Sequence, residues 1–129
     1  MIIVDDRLAL DVLSGQLEVG PCATTWGFHY RLTRALANAS GRGRLSREAE
    51  SGVRAVVAHP PRHLLAVLDP REVTESAVEM SLRHGLNLLA AEMVAAAVLH
   101  RAELYLSAGN VGRSWADILA AEGVPLTVM

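Results

Sequence analysis

The chain opens on Met1-Ile2-Ile3-Val4-Asp5-Asp6, a short apolar run closed by two acids, and no other stretch limits the fold so tightly. A strand covered on both faces reads as an unbroken apolar run, and in an open α/β sheet the ligand crevice lies beyond the carboxyl ends of such strands. Asp5 and Asp6 therefore stand where a sheet of this kind does its chemistry.

Behind this strand the pattern alternates. Arg7 to Ser14 sets Leu8, Leu10, Val12 and Leu13 at helical spacing, and Gly15 supplies a left-handed stop. Gly20-Pro21 marks a turn, after which Thr24 or Thr25 caps a helix running to about Ala39, with Trp26, Tyr30 or Phe28, Leu32 and Leu36 inward. Ser40-Gly41-Arg42-Gly43-Arg44 is a breaker, and Ser46 caps a helix that begins with Glu48 and Glu50 and ends before Pro60-Pro61, forming a hairpin with its predecessor. His63 to Leu68 is a second short apolar run. Asp69-Pro70-Arg71-Glu72 has the cap, the proline and the acid of a helix start, and that helix ends near His84-Gly85. Asn87 caps the next one, Leu88 to Arg101, which is apolar nearly all round and so belongs at the centre of the molecule. Leu104 to Ser107 reads as a strand, Gly109 to Gly112 as a turn, Arg113 to Glu122 as a helix stopped by Gly123, and Pro125 to Met129 as a last strand. This order implies one domain over residues 1–129, a three-layer α/β/α sandwich around a mainly parallel sheet of about four to five strands.

Composition narrows the chemistry. All 12 basic residues are arginine, which removes Schiff bases, lysine general bases and Walker-type phosphate contacts. A net charge of −2 argues against a whole-surface footprint for duplex nucleic acid. Cys22 is alone, so the chain has neither an internal disulfide nor a cysteine metal cluster, and a reducing, cytoplasmic setting is expected. The longest apolar stretch, Leu88 to Leu99, falls short of the roughly 20 residues that span a bilayer, so no membrane role is expected. His29, His59, His63, His84 and His100 show no metal-ligand spacing, and no Ser/His/Asp triad or glycine-rich phosphate loop can be assembled.

The first strand resembles that of response-regulator receiver domains, but no aspartate lies between Asp11 and Asp69 and the family's lysine is missing, so phosphoacceptor function is rejected and a receiver-like interaction domain remains an alternative. The chain as a whole resembles the PIN domain, in particular the bacterial VapC-type toxins. Four stretches carry the resemblance: Met1 to Leu13; Trp26 to Leu36 with the Gly/Arg loop and Leu45-Ser46 after it; Arg83 to Ala97; and Leu104 to Asn110, similar to the family's strand ending in Thr-x-Asp, with Gly123 to Leu126 beyond. The resemblance implies a carboxylate cluster holding Mg²⁺ for cutting single-stranded RNA. Transferred residue by residue, only Asp5 matches; the second acid's position falls on Arg31 or Gly27, the third on Ala91 or Ala90 and the fourth on Gly109, while Arg7 replaces a small hydroxyl residue.

Mg²⁺ demands oxygen ligands in near-octahedral geometry, which one carboxylate among guanidinium groups does not supply, so no cofactor is expected. Asp6 and Glu92 neighbour family positions and are candidate helpers in a displaced acidic site, although an adjacent strand residue points to the opposite face. An ion pair of Asp5 with Arg31 or Arg7 is the expected substitute for the metal. Arg7, Arg31 and Arg34 are candidate anion or RNA contacts, set against the ordinary role of arginine as solvated surface charge. Trp26, Phe28 and Tyr30 have the chemistry to stack on bases, with core packing as the ordinary role of helical aromatics. The expectation is a PIN-like pseudo-nuclease that binds RNA or an antitoxin-like protein and forms a homodimer; the competing expectation is an active Mg²⁺-dependent ribonuclease.

Overall fold

The computed structural model describes residues 1–41 and 54–129. Five short strands, β1 (Ile2–Val4), β2 (Cys22–Thr24), β3 (Leu65–Val67), β4 (Glu103–Leu106) and β5 (Leu126–Val128), pair in the order β3-β2-β1-β4-β5, every pair parallel. The connecting helices among the described residues include α1 (Asp6–Leu13), α2 (Trp26–Gly41), α3 (Pro70–His84), α4 (Leu88–His100) and α5 (Trp115–Glu122). Residues 54–58 are also helical.

Side-chain alternation along the strands shows the layers. Ile3, Ala23, Leu104 and Leu106 join the core formed with α3, α4 and α5, while their neighbours Val4, Cys22 and Leu65 join a second core with α1, Leu32 of α2 and Val57. Helices therefore cover both faces of a parallel sheet, the α/β/α sandwich that the strand–helix alternation implies. The chain departs from β1 to one side, through β2 and β3, then crosses to β4 on the other side. A reversal between β1 and β4 opens a crevice at their carboxyl ends. The doubly wound order of receiver domains is 2-1-3-4-5, so this sheet is not receiver-like.

Several boundaries follow their local chemistry. Asn87 Oδ1 accepts the Ala90 N–H at 2.9 Å and Asp69 accepts from Arg71 N at 3.0 Å, capping α4 and α3 as expected. Gly85 and Gly123 end α3 and α5 at φ of 67° and 69°, the left-handed conformation glycine adopts freely. In α4, Ala91 and Met93 to Ala97 are buried, as its apolar surround implies, while Leu88, Val98 and Leu99 at its ends are exposed.

Three expectations need correction. Cys22–Thr24 is a strand where none is expected between the Gly20-Pro21 turn and α2; the Thr24 hydroxyl donates to the Val4 carbonyl at 2.8 Å, so of the two threonines Thr25 is the cap, accepting from Phe28 N at 3.4 Å. On α2 the inward face is Phe28 and Leu32, whereas Trp26 and Tyr30 point outward. α1 begins at Asp6, not Arg7. The helix start at Ser46, the Arg42–Arg44 part of the breaker and Leu45-Ser46 lie outside the described residues.

Candidate functional site

Asp5 leaves β1 at the crevice and is fully buried. Its backbone is extended, at φ −76° and ψ −179°, and the side chain caps α1 by accepting the Leu8 N–H on Oδ1 at 2.9 Å. The other oxygen, Oδ2, accepts three donors from beyond β4: the Ser107 N–H at 2.7 Å, the Ser107 hydroxyl at 2.7 Å and the Asn110 Nδ2 amide at 2.8 Å. β1 and β4 are neighbours in register, Val4 beside Tyr105, so the residues following each strand meet. A 3₁₀ turn, Ala108–Asn110, then swings Asn110 back over Asp5.

Because α1 begins at Asp6, Asp5 and Asp6 do not alternate as two strand residues would. Asp6 turns toward the same cluster, where its Oδ1 accepts the Asn110 amide at 3.1 Å. Arg31 clasps it with two parallel bonds, Nε to Oδ2 at 2.7 Å and Nη2 to Oδ1 at 2.8 Å, the fork geometry that gives arginine–carboxylate pairs their strength. Nη2 also donates to Asn110 Oδ1 at 2.6 Å, and the guanidinium carbon sits 4.9 Å from the centre of the Phe28 ring. The expected partner of Arg31 was Asp5; the guanidinium pairs with Asp6 instead, and among the described residues Asp5 forms no ion pair. Burial raises the Asp6 carboxyl, but the hydrogen bonds and charge of Arg31, with help from Asn110 and the Arg7 N–H, hold it below its ordinary value; the same bond to Asp6 raises Arg31.

Asn110 joins the two acids. Its Nδ2 faces Asp5, Asp6 and the Ser107 oxygen, while its Oδ1 faces the guanidinium, so every neighbour dictates the same orientation of the amide. The resemblance puts the family's fourth acid at Gly109, which makes no contribution to the cluster by side chain; the polar groups there are those of Ser107 and Asn110, which sequence reasoning missed. The one available signal was the Ser107-x-x-Asn110 spacing, which brings two polar side chains round a single tight turn.

The other candidates lie apart. Glu92 accepts the Gly27 N–H at 2.8 Å and so caps the first turn of α2 from α4. Arg7 lines a groove with Asp11 and Ser107, whereas Arg31 and Arg34 line another with Trp26 and Tyr30, so the three arginines do not form one fork. Among the described residues no group of three or more His, Cys, Asp or Glu side chains is placed to hold a metal ion, and no single helix is long and apolar enough to cross a membrane.

No protein-family model matches the chain, and no curated protein matches it by sequence. Among solved structures, it is similar to a chain of a toxin–antitoxin complex from Klebsiella pneumoniae, with a TM-score of 0.54 and 18% identity over 81% of this chain and 84% of that one. The likeness is one of fold. At that identity the likeness says nothing of the site, which has to be judged on its own residues.

Proposed function

We propose that this chain is a PIN-like pseudo-nuclease, a bacterial cytoplasmic protein of toxin–antitoxin type that acts by binding rather than by cutting RNA. The observation that supports this reading is the Arg31–Asp6–Asn110–Asp5 network. The similar solved chain comes from a toxin–antitoxin complex, which favours an antitoxin-like protein partner for this one.

The donor set does not fit the Mg²⁺ that the family resemblance implies. Mg²⁺ is bound by carboxylates with free lone pairs and keeps several waters in near-octahedral array. Here Asp5 Oδ2 already accepts three hydrogen bonds, both Asp6 oxygens face a guanidinium, and an amide donor stands between the two acids. A cation entering there would meet the Arg31 charge and would have to displace N–H donors. No hydrolytic step is therefore derived from the site. A second reading has one observation in its favour: Asp6 joins Asp5 at the crevice, as a displaced acidic site in an active ribonuclease requires.

Thermal unfolding with and without millimolar Mg²⁺ or Mn²⁺ separates the two readings, since a ligand of the folded state raises the melting temperature by mass action. The unmodified protein is expected to show no shift. The double variant Arg31→Gln/Asn110→Asp, which removes the guanidinium and adds a third carboxylate, is expected to gain one. A metal-dependent rise in the unmodified protein, lost in Asp5→Asn, would overturn the metal-free reading.

A further inference from the structure

Next to the acid cluster, α2 turns a row of three side chains outward: Trp26, Tyr30 and Arg34 follow at four-residue steps. Each step advances about 6 Å along the helix axis, so the three stand in line on one face. Trp26 is 48% and Tyr30 55% exposed, and their rings stack with centroids 5.5 Å apart and planes 16° from parallel. Phe28 and Leu32 already supply the core from this helix, so neither outward ring is needed to close it. Leu88 and Leu89 at the start of α4 form the opposite wall of a groove of about 380 Å³.

Charge decides what such a groove would take. Arg31 is neutralised by Asp6, and the Glu92 carboxylate is engaged by the Gly27 N–H. Arg34 is exposed and has no hydrogen bond or ion pair among the described residues. The groove thus offers an aromatic and aliphatic lining with one unpaired guanidinium a helical turn beyond the rings. Every nucleobase has a π-face that stacks on such rings, and the guanidinium fork matches phosphate oxygens. A flat ring joined to an anion about one turn away is the shape of a nucleotide.

We propose that this groove binds one nucleotide unit, with the base against the Trp26–Tyr30 pair and the phosphate on Arg34. The unit is either a free nucleoside monophosphate or one residue of a single strand. The inference goes beyond the metal-free reading and does not depend on it, because the groove needs nothing from Asp5.

The test is a titration of the full chain in EDTA, which keeps divalent metal out whichever reading of Asp5 holds, with uridine 5′-monophosphate, with uridine and with a ten-residue oligouridylate. Trp115 is only 7% exposed, so a change in tryptophan emission reports Trp26. The monophosphate and the oligomer are expected to quench that emission saturably. Tyr30→Leu should weaken binding about tenfold, within the range for one stacked base, while Tyr30→Phe, which keeps the ring, should bind as the unmodified protein does. Arg34→Gln should reduce the monophosphate to the affinity of uridine and leave uridine unchanged. Tighter binding of the oligomer than of the monophosphate assigns the groove to a strand; equal binding assigns it to free nucleotide. Absence of saturable quenching, or variants at Tyr30 and Arg34 that bind as tightly as the original with unaltered thermal unfolding, would overturn the proposal and leave the row as a protein-docking face.

Discussion

Asp5 is a buried carboxylate whose charge is met by four hydrogen-bond donors and by no cation in direct contact. Asp6, half-buried beside it, takes the ion pair. The two acids should therefore respond differently to substitution. Asp5→Leu strands the Leu8 N–H, the Ser107 N–H and the Ser107 hydroxyl, while the Asn110 amide keeps Asp6, and a loss of about 3 kcal/mol or more is expected from unsatisfied buried donors. The Arg31 side chain is 42% exposed, so its pair with Asp6 should contribute no more than about 1 kcal/mol. In urea denaturation, a double-mutant cycle of Arg31→Leu with Asp6→Leu should show a clear coupling, larger than the cycle of Arg31→Leu with Asp5→Leu. The reverse ranking would mean that the guanidinium serves Asp5 after all. Acid should act through the same pair. The folded Asp6 carboxyl lies below its unfolded value of 3.8, so its contribution is present above that value and is lost as pH falls through the lower, folded value. Arg31→Gln should shrink this acid-dependent loss in unfolding midpoints measured between about pH 5 and pH 2. An unchanged slope would count against the pair.

The cluster exists because helix and strand ends are placed to share donors, and Glu92 extends this between elements. It reaches from α4 to the first turn of α2, where the Gly27 N–H has no partner within its own helix. A Cβ at Gly27 would stand 2.9 Å from Leu89 Cδ1 and 3.1 Å from Glu92 Oε1, so α2 and α4 approach closely there. Glu92→Ala should lower stability by about 1 kcal/mol in chemical denaturation, in line with loss of a helix cap near the positive end of the dipole. Glu92→Gln, which keeps an acceptor, should recover part of it; equal losses would point to packing instead. How far the elements were legible follows from their length and termini. α3 and α4 carry side-chain caps at Asp69 and Asn87, α3 and α5 end on the left-handed glycines Gly85 and Gly123, and α4 is apolar nearly all round, all readable from one sequence. β2 has three residues, too few to show a period, and the Gly20-Pro21 turn beside it drew the reading toward a helix start. The site suffered from the same kind of one-residue ambiguity. Treating Asp5-Asp6 as strand sent Asp6 to the wrong face, and matching Thr-x-Asp drew the reading to Gly109 and away from Asn110. Partners such as Arg31 and Asp6, 25 residues apart, depend on tertiary placement that no local pattern encodes.

At the scale of the molecule, a five-stranded sheet with both faces covered still leaves apolar helix surface unpartnered. Val78 and Leu82 lie one turn apart on α3, and Leu82 is 82% exposed; Val98 and Leu99 at the end of α4 are exposed as well. α3 and α4 pack on each other, so these side chains belong to one pair of helices. Exposed leucine at a packing face is a common mark of association, and identical chains most often associate through a twofold axis, where each residue of the patch is used twice. A homodimer through α3 and α4 is the expected state. Light scattering should give twice the 13.8 kDa chain mass, and the melting temperature should rise with protein concentration, since association stabilises the folded chain by mass action. Leu82→Glu, which places two like charges in such a twofold interface and disturbs nothing buried within the chain, should give a folded monomer. A single-chain mass for the unmodified protein at high concentration, or a Leu82→Glu variant that still forms dimers, would move the interface away from this face.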